Sequence, residues 1–324
     1  MKIYSSRKII LFCPSFYNYR AIIKKELEFL GAKVFSYDER PSNSTIFKIL
    51  LRLKLYFLIE HIISKYYENI ILENNAVTDV FFINAEAINR NILKKMRLRY
   101  KNASFTLYMW DSIRNKKNIL EILDMFDNAY SFDPDDCKKE NSLSFEPLFY
   151  NKNFEKRNGI LKYDISFVGS IHSDRLSIIK KLFKIRNVIG KFFLYSPSKV
   201  FSFIKVVSQN KLNINDLKLI SHSKIDLSSV SEIFFSSKAI VDIQHPNQRG
   251  LTMRTFEVLG SGRKLITTNS DIKNYEFYNE NNILIINRKN INGDDIKKFI
   301  DTEYIFSEDI LKYRVDNWLR RILC

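Results

Sequence analysis

Apolar residues in this chain come in short unbroken runs separated by stretches with helical spacing. Residues 8–12 end in Ile9-Ile10-Leu11-Phe12, a run that predicts a strand buried on both faces. Ile23, Leu27 and Leu30 then follow at intervals of four and three before Gly31, the pattern of an amphipathic helix stopped by glycine, and residues 32–37 resume as a strand. Strands expected at 80–84 and 104–109 flank a basic helix at 91–99. After residue 163 the rhythm restarts with a strand at 164–168, a turn at Gly169-Ser170 and a helix from Ser173 that carries Ile178, Ile179, Leu182 and Phe183. Four more strands are expected at 191–195, 239–243, 264–268 and 282–286. Strands alternating with helices predict an α/β fold of parallel sheets covered by helices.

The polar stretch 151–163 breaks the pattern and is expected to link two α/β units of similar size. The expected domains are therefore 1–155 and 156–305, followed by a terminal segment, 306–324. Ser307 suits the N-cap of a last helix, on which Leu311, Val315, Trp318 and Ile322 share one face that packs back on the first domain. A length of 324 residues fits two domains, and 45% apolar content excludes a disordered chain. Eight glycines and six prolines are too few for an all-β sandwich.

Cys13, Cys137 and Cys324 are odd in number and widely spaced, which argues against a disulfide framework and for a cytoplasmic protein. The run Ile9 to Phe12 is too short for a signal-peptide core, and no window of about 18 residues is free of charge, so no membrane span is expected. The net charge of +16 fits the Lys-, Asn- and Ile-rich usage of an AT-rich genome, and equally a nucleic acid, an anionic membrane surface or a phosphorylated substrate.

Candidate chemistry concentrates in residues 248–269. They read as a loop, a helix opening at Gly250 with Thr252 in its first turn, a stop at Gly260-x-Gly262, and a strand. That register puts Gly250, Arg254 and Glu257 on one face and Met253, Phe256 and Leu259 on an adjoining apolar one. Backbone N–H groups at the helix start suit a phosphate, Arg249 and Arg254 add guanidinium contacts, and Glu257, one turn on, suits ribose hydroxyls. The combination describes a nucleotide-diphosphate site; the plainer alternative is a surface helix with an Arg254–Glu257 ion pair. Gly260-x-Gly262 closes a helix and opens a strand, the reverse of a dinucleotide fingerprint.

Together with Phe167-Val168-Gly169-Ser170-Ile171-His172, Arg175 and Tyr108-Met109-Trp110-Asp111-Ser112, this run resembles the CgeB-like and group 1 glycosyltransferases of bacterial lipopolysaccharide and capsule synthesis. The resemblance implies a GT-B architecture. Two Rossmann-like domains would face a cleft, with acceptor in the first, nucleotide-sugar in the second and a final helix crossing back. Many group 1 enzymes hold the donor between two glutamates with seven residues between them; Glu257 matches the second, whereas Arg249 stands where the first belongs. Gly169 and Ser170 match the family's small-residue phosphate loop, with His172 beside them and Arg175 within reach of the phosphates. The family's reaction needs no metal and no other cofactor.

An inverting transferase needs a base at the acceptor hydroxyl. Asp111 and Glu86 each follow an expected strand of the first domain, where α/β sheets bind their ligands, although Asp111 also reads as an N-cap. Asp133-Pro134-Asp135 matches the Asp-x-Asp metal pattern of GT-A transferases, but a turn is the favoured reading. His61, His172, His222 and His245 do not cluster in sequence, and no G-x-S-x-G is present.

Residues 46–67 combine a dense apolar content with Lys48, Arg52 and Lys54. They read equally as a core helix or as a helix in the headgroup layer of the inner membrane's cytoplasmic face, near a polyprenol-linked or lipopolysaccharide-type glycan acceptor. The leading reading is a glycosyltransferase. The alternatives are a GT-A-like metal-dependent transferase, a catalytically silent GT-B scaffold and a nucleic-acid-binding protein, the last disfavoured because aromatics lie in apolar runs rather than between cations.

Overall fold

The protein was analysed as a computed structural model describing residues 3–15, 17–53, 55–207 and 213–323; Lys54 of the basic stretch and Cys324 fall outside these. The chain forms two compact units, Met1–Pro147 with Val315–Cys324, and Leu148–Arg314.

In the first unit, strands β1 (Lys8–Phe12), β2 (Lys33–Tyr37), β3 (Asp79–Ile83), β4 (Ser104–Met109), β5 (Asn128–Ser131) and β6 (Ser144–Phe145) make one parallel sheet in the order β2-β1-β3-β4-β5-β6. Helices α1 (Tyr19–Phe29), α2 (Thr45–Arg52), α3 (Glu60–Glu73), α4 (Arg90–Arg99) and α5 (Pro134–Lys139) connect them. Every residue of β3 is buried, as a strand covered on both faces must be. Tyr67 of α3 and the stacked rings of Phe12 and Phe82, 4.4 Å apart, anchor one face of the sheet.

In the second unit, β7 (Tyr163–Ser170), β8 (Gly190–Tyr195), β9 (Ile220–Ser221), β10 (Ser237–Asp242), β11 (Lys264–Thr267) and β12 (Ile283–Ile285) form a second parallel sheet, ordered β12-β11-β10-β7-β8-β9. Its helices are α6 (Arg175–Phe183), α7 (Lys199–Val207), α8 (Leu227–Phe235), α9 (Met253–Gly260) and α10 (Gly293–Asp301). The last helix, α11 (Val315–Ile322), belongs to the first unit. There Trp318 is fully buried, its ring 4.8 Å from that of Tyr108, and Leu319 O accepts from Tyr4 Oη.

Several expectations change. Gly169 and Ser170 do not turn; they are the last residues of β7. The stretch 151–163 is part of the second unit, where Phe154 is buried against Phe234, so the units divide after Pro147 and Arg314. Ser307 caps only the short 3-10 turn Glu308–Tyr313, which leaves Leu311 exposed, and the α-helix proper starts at Val315. Residues 46–67 are not one helix: α2 ends at Arg52 and α3 starts at Glu60, a break that lets Phe47 and Leu51 of one helix and Ile63 and Tyr67 of the other both reach the core. The short strands β5, β6 and β9 carry too few residues for an alternation to register.

Candidate functional site

In the second unit the chain leaves β7 to one side through α6 and β8, while β10 pairs with the other side of β7. The β7/β10 pair is therefore the switch point of the sheet, and the crevice outside the carboxyl ends of its strands is where open α/β sheets bind ligands. Ser170, Ile171 and His172 leave β7 there, and Asp242 to His245 leave β10. The His172 and His245 rings lie 6.2 Å apart.

Arg175 opens α6 at this edge. Its Nε donates to Ile243 O at 2.7 Å and its Nη1 to Ser170 O at 3.4 Å. Burial pulls its pKa down to about 10, Arg254 and Arg288 push the same way, and Asp242 and Asp174 oppose, so the group stays charged at neutral pH. A Cβ on Gly169 would come within 2.8 Å of the Phe167 ring and 3.2 Å of Arg175 Nη1. The missing side chain thus makes room for this guanidinium. Burial, with Arg175 and His245 adding to it, pulls His172 down to about 4, so its imidazole is neutral at pH 7. Its Nδ1 lies 3.2 Å from Ser173 Oγ.

The expected helix at Gly250 begins instead at Met253, with Thr252 at the N-cap. Asp242 explains the shift: its Oδ2 accepts from Thr252 Oγ1 at 2.6 Å and from Thr255 Oγ1 at 2.9 Å, which fixes where the first turn forms. Upstream, Gln248 Nε2 donates to Gly250 O at 2.8 Å and Asn269 Nδ2 to Arg249 O at 2.9 Å, so Gly250 is a buried loop residue. Arg249 turns to Asp271, with Nε 3.1 Å from its carboxylate. Arg254 and Glu257 do share a helix face. Arg254 Nη1 donates to Glu257 Oε2 at 2.7 Å, Nη2 to Val168 O at 3.3 Å, and the guanidinium lies over the Phe234 ring. Glu257 is 2% exposed.

Sequence reasoning missed Arg288 and Asp242. Arg288, shortly after β12, donates to Asp174 Oδ1 and to Gln244 O, both at 2.7 Å. The signal for each is a charged residue at or shortly after the carboxyl end of an apolar strand.

In the first unit the corresponding switch lies between β1 and β3. After β3, Asn84 and Ala85 take left-handed backbone angles (φ 70° and 48°), which turn the Glu86 N–H toward Glu39 Oε2 at 2.8 Å. Glu39, also missed from sequence, is 1% exposed. Burial pushes its carboxyl up to about 7 despite Arg40. Arg40 bridges Glu39 and Glu86, 3.3 Å from each, and Lys116 Nζ lies 2.6 Å from Glu86. Asp111 follows β4; burial raises its pKa, with Lys116 and a hydrogen bond from Asn115 opposing. The cap that Asp111 was alternatively expected to supply comes from Ser112, whose Oγ accepts from Arg114 N.

Asp133 caps α5, accepting from Asp135 N at 3.0 Å, and Asp136 accepts from Ser112 Oγ, Ile113 N and Ser131 Oγ. Among the described residues no group of three or more His, Cys, Asp or Glu is arranged to hold a metal ion, and no helix is long and apolar enough to cross a membrane.

No protein-family model and no curated protein matches the chain. Solved structures do. The Anabaena protein HepE, in complex with UDP and glucose, superposes with a TM-score of 0.63 at 10% identity, covering 98% of both chains. A Rickettsia africae glycosyltransferase gives 0.58 at 14% identity over 99% of this chain and 97% of the other. UDP-GlcNAc 2-epimerase from Methanocaldococcus jannaschii gives 0.51 at 10% identity over 98% of each. At these identities the likeness is one of fold, and that fold, an α/β chain of two Rossmann-like units each built on a six-stranded parallel sheet, is GT-B.

Proposed function

We propose that the protein is a sugar-nucleotide enzyme, and specifically a glycosyltransferase that moves a sugar from a nucleoside diphosphate to a glycan acceptor. The observation that carries this reading is the convergence of Arg254 and Arg288 on Arg175, with a neutral His172 beside Arg175, at the carboxyl edge of the β7/β10 switch point. Guanidinium groups and the amino end of α9 meet the charge that develops on a leaving diphosphate, so the reaction is expected to run without a metal. Glu257 anchors Arg254 and accepts from the ribose. Arg249, Gly250 and Thr252 shape the loop before the helix, Gly169 leaves space beside Arg175, and Ser170 O accepts from it.

The first unit takes the acceptor. Of the two carboxylates expected there, Glu86 is held by Arg40 and Lys116. Asp111, whose burial raises its pKa above that of a free aspartate, removes the proton from the acceptor hydroxyl as the bond to the anomeric carbon forms. Ile46, Ile49, Leu53, Phe57, Leu58 and Ile62 are exposed beside Lys48 and Arg52, which favours a lipid-linked acceptor, as in lipopolysaccharide, O-antigen or capsule assembly at the cytoplasmic face of the inner membrane.

Thermal unfolding with UDP, GDP, dTDP, CMP and ADP tests the donor class. A ligand at 100 times its dissociation constant adds about 2.7 kcal/mol. Selective stabilisation by one diphosphate, weakened in Arg175→Met, supports the reading, and no response to any of them overturns it. The epimerase of the same fold supplies the second reading, distinguished by turnover of a UDP-sugar without any acceptor.

A further inference from the structure

Helix α7 buries a narrow stripe and leaves most of its apolar side chains exposed. Its nine residues bury Ser202 and Val206, while Val200, Phe201, Phe203, Ile204 and Val207 stand between 47% and 69% exposed. Surface helices ordinarily turn aromatic and aliphatic residues inward and serine outward. Ser202 is pinned inward, its Oγ donating to Ser198 O at 2.9 Å, and Val206, one turn on, packs into the core of the second unit, so the helix is held by a narrow stripe with its other apolar side chains toward solvent.

The surroundings are cationic. Residues 175–215 contain nine Lys or Arg, the acids that bracket them, Asp174 and Asp216, are paired with Arg288 and Lys180, and α7 itself carries Lys199 and Lys205 and no acid. Burial above all keeps His172 neutral, and Lys205 of α7 adds to the charges that act the same way on it. A single-stranded nucleic acid needs aromatic planes exposed between cations, whereas three of the five exposed side chains here are aliphatic. An apolar ridge flanked by Lys and free of acid matches acyl chains below and anionic headgroups around it.

We propose that α7 is a lipid-contact helix of the second unit, lying in the headgroup layer of an anionic bilayer with Phe201, Phe203 and Ile204 inserted and Lys199 against the headgroups. The proposal stands independently of the sugar-transfer reading and of the apolar patch around α2.

The test is cosedimentation of the full chain with vesicles of phosphatidylglycerol and phosphatidylcholine, alongside vesicles of phosphatidylcholine alone. Binding to the anionic vesicles is expected, falling by roughly tenfold or more in F201S/F203S/I204S. Lys199→Glu is expected to weaken it about fivefold or more at low salt. These substitutions fall on exposed side chains, and an unchanged thermal midpoint verifies that the variants fold. Three outcomes overturn the proposal: no binding by the wild type, wild-type binding by the folded triple variant, or a wild-type dimer that the triple variant turns into a monomer. The nucleotide response is expected to be the same in wild type and triple variant, so failure here leaves the donor reading standing.

Discussion

Thr252 donates its hydroxyl to the Asp242 carboxylate at 2.6 Å, tying the residue that precedes α9 to the last residue of β10. Thr255 reaches the same oxygen from one turn further on. The start of the helix that carries Arg254 and Glu257 is thus set by a strand-end carboxylate rather than by a cap within the helix.

Asp242→Ala is expected to destabilise the protein by about 2 to 3 kcal/mol, because two hydroxyls lose a charged acceptor inside the fold. Urea unfolding measures it. Thr252→Val should cost less, since Thr255 still donates to Asp242; equal costs would show that the Thr255 contact contributes nothing.

Arg254→Ala leaves the buried Glu257 carboxylate without its cation and is expected to cost roughly 3 to 5 kcal/mol. The paired substitution R254M/E257L should recover most of that stability while abolishing nucleotide-dependent stabilisation. Recovery of both would mean that the ion pair serves the fold alone.

The two perturbed groups give opposite pH signatures. Glu39 has a folded pKa of about 7 against about 4.5 unfolded, so its penalty is absent below 4.5 and grows as pH rises to 7. His172 falls from about 6.5 to about 4, so its penalty is present at low pH and is relieved as pH rises through that window. Glu39→Gln should therefore steepen the rise of stability between pH 4 and 6.5, and His172→Gln should flatten it. Denaturant midpoints across that range read out both slopes, and a Glu39→Gln profile parallel to wild type would contradict the burial argument.

Asp111→Asn is expected to keep nucleotide binding and lose about 10²- to 10⁴-fold in kcat, the usual contribution of a general base. Glu86→Gln, by contrast, should act mainly on stability, since it breaks ion pairs with Arg40 and Lys116. A larger kcat loss in Glu86→Gln than in Asp111→Asn would reverse the assignment.

Both sheets were legible wherever a strand was a dense apolar run, because burial on two faces leaves no room for polar alternation. The edge strands β6 and β9 have two residues each and offered no pattern. Arg254 and Glu257 were found because their spacing of three is local. The role of Asp242 was not: it depends on Thr252 and Thr255, ten and thirteen residues away, meeting a strand end in space. Glu39 escaped for the same reason. Its neighbour Glu86 lies 47 residues further on, and only the left-handed turn at Asn84 and Ala85 points that backbone N–H toward it.

The burial of Trp318 against Tyr108 has a further consequence for the order of synthesis. The first unit takes its closing helix from residues made after all 167 positions of Leu148–Arg314. On a ribosome the second unit has its whole sequence available before the first can complete its core, so the earlier-made half is the later one to finish folding. Until α11 emerges, Phe81 and Tyr108 lack the indole that covers them, and an N-terminal fragment ending at Pro147 would carry that apolar surface into solution.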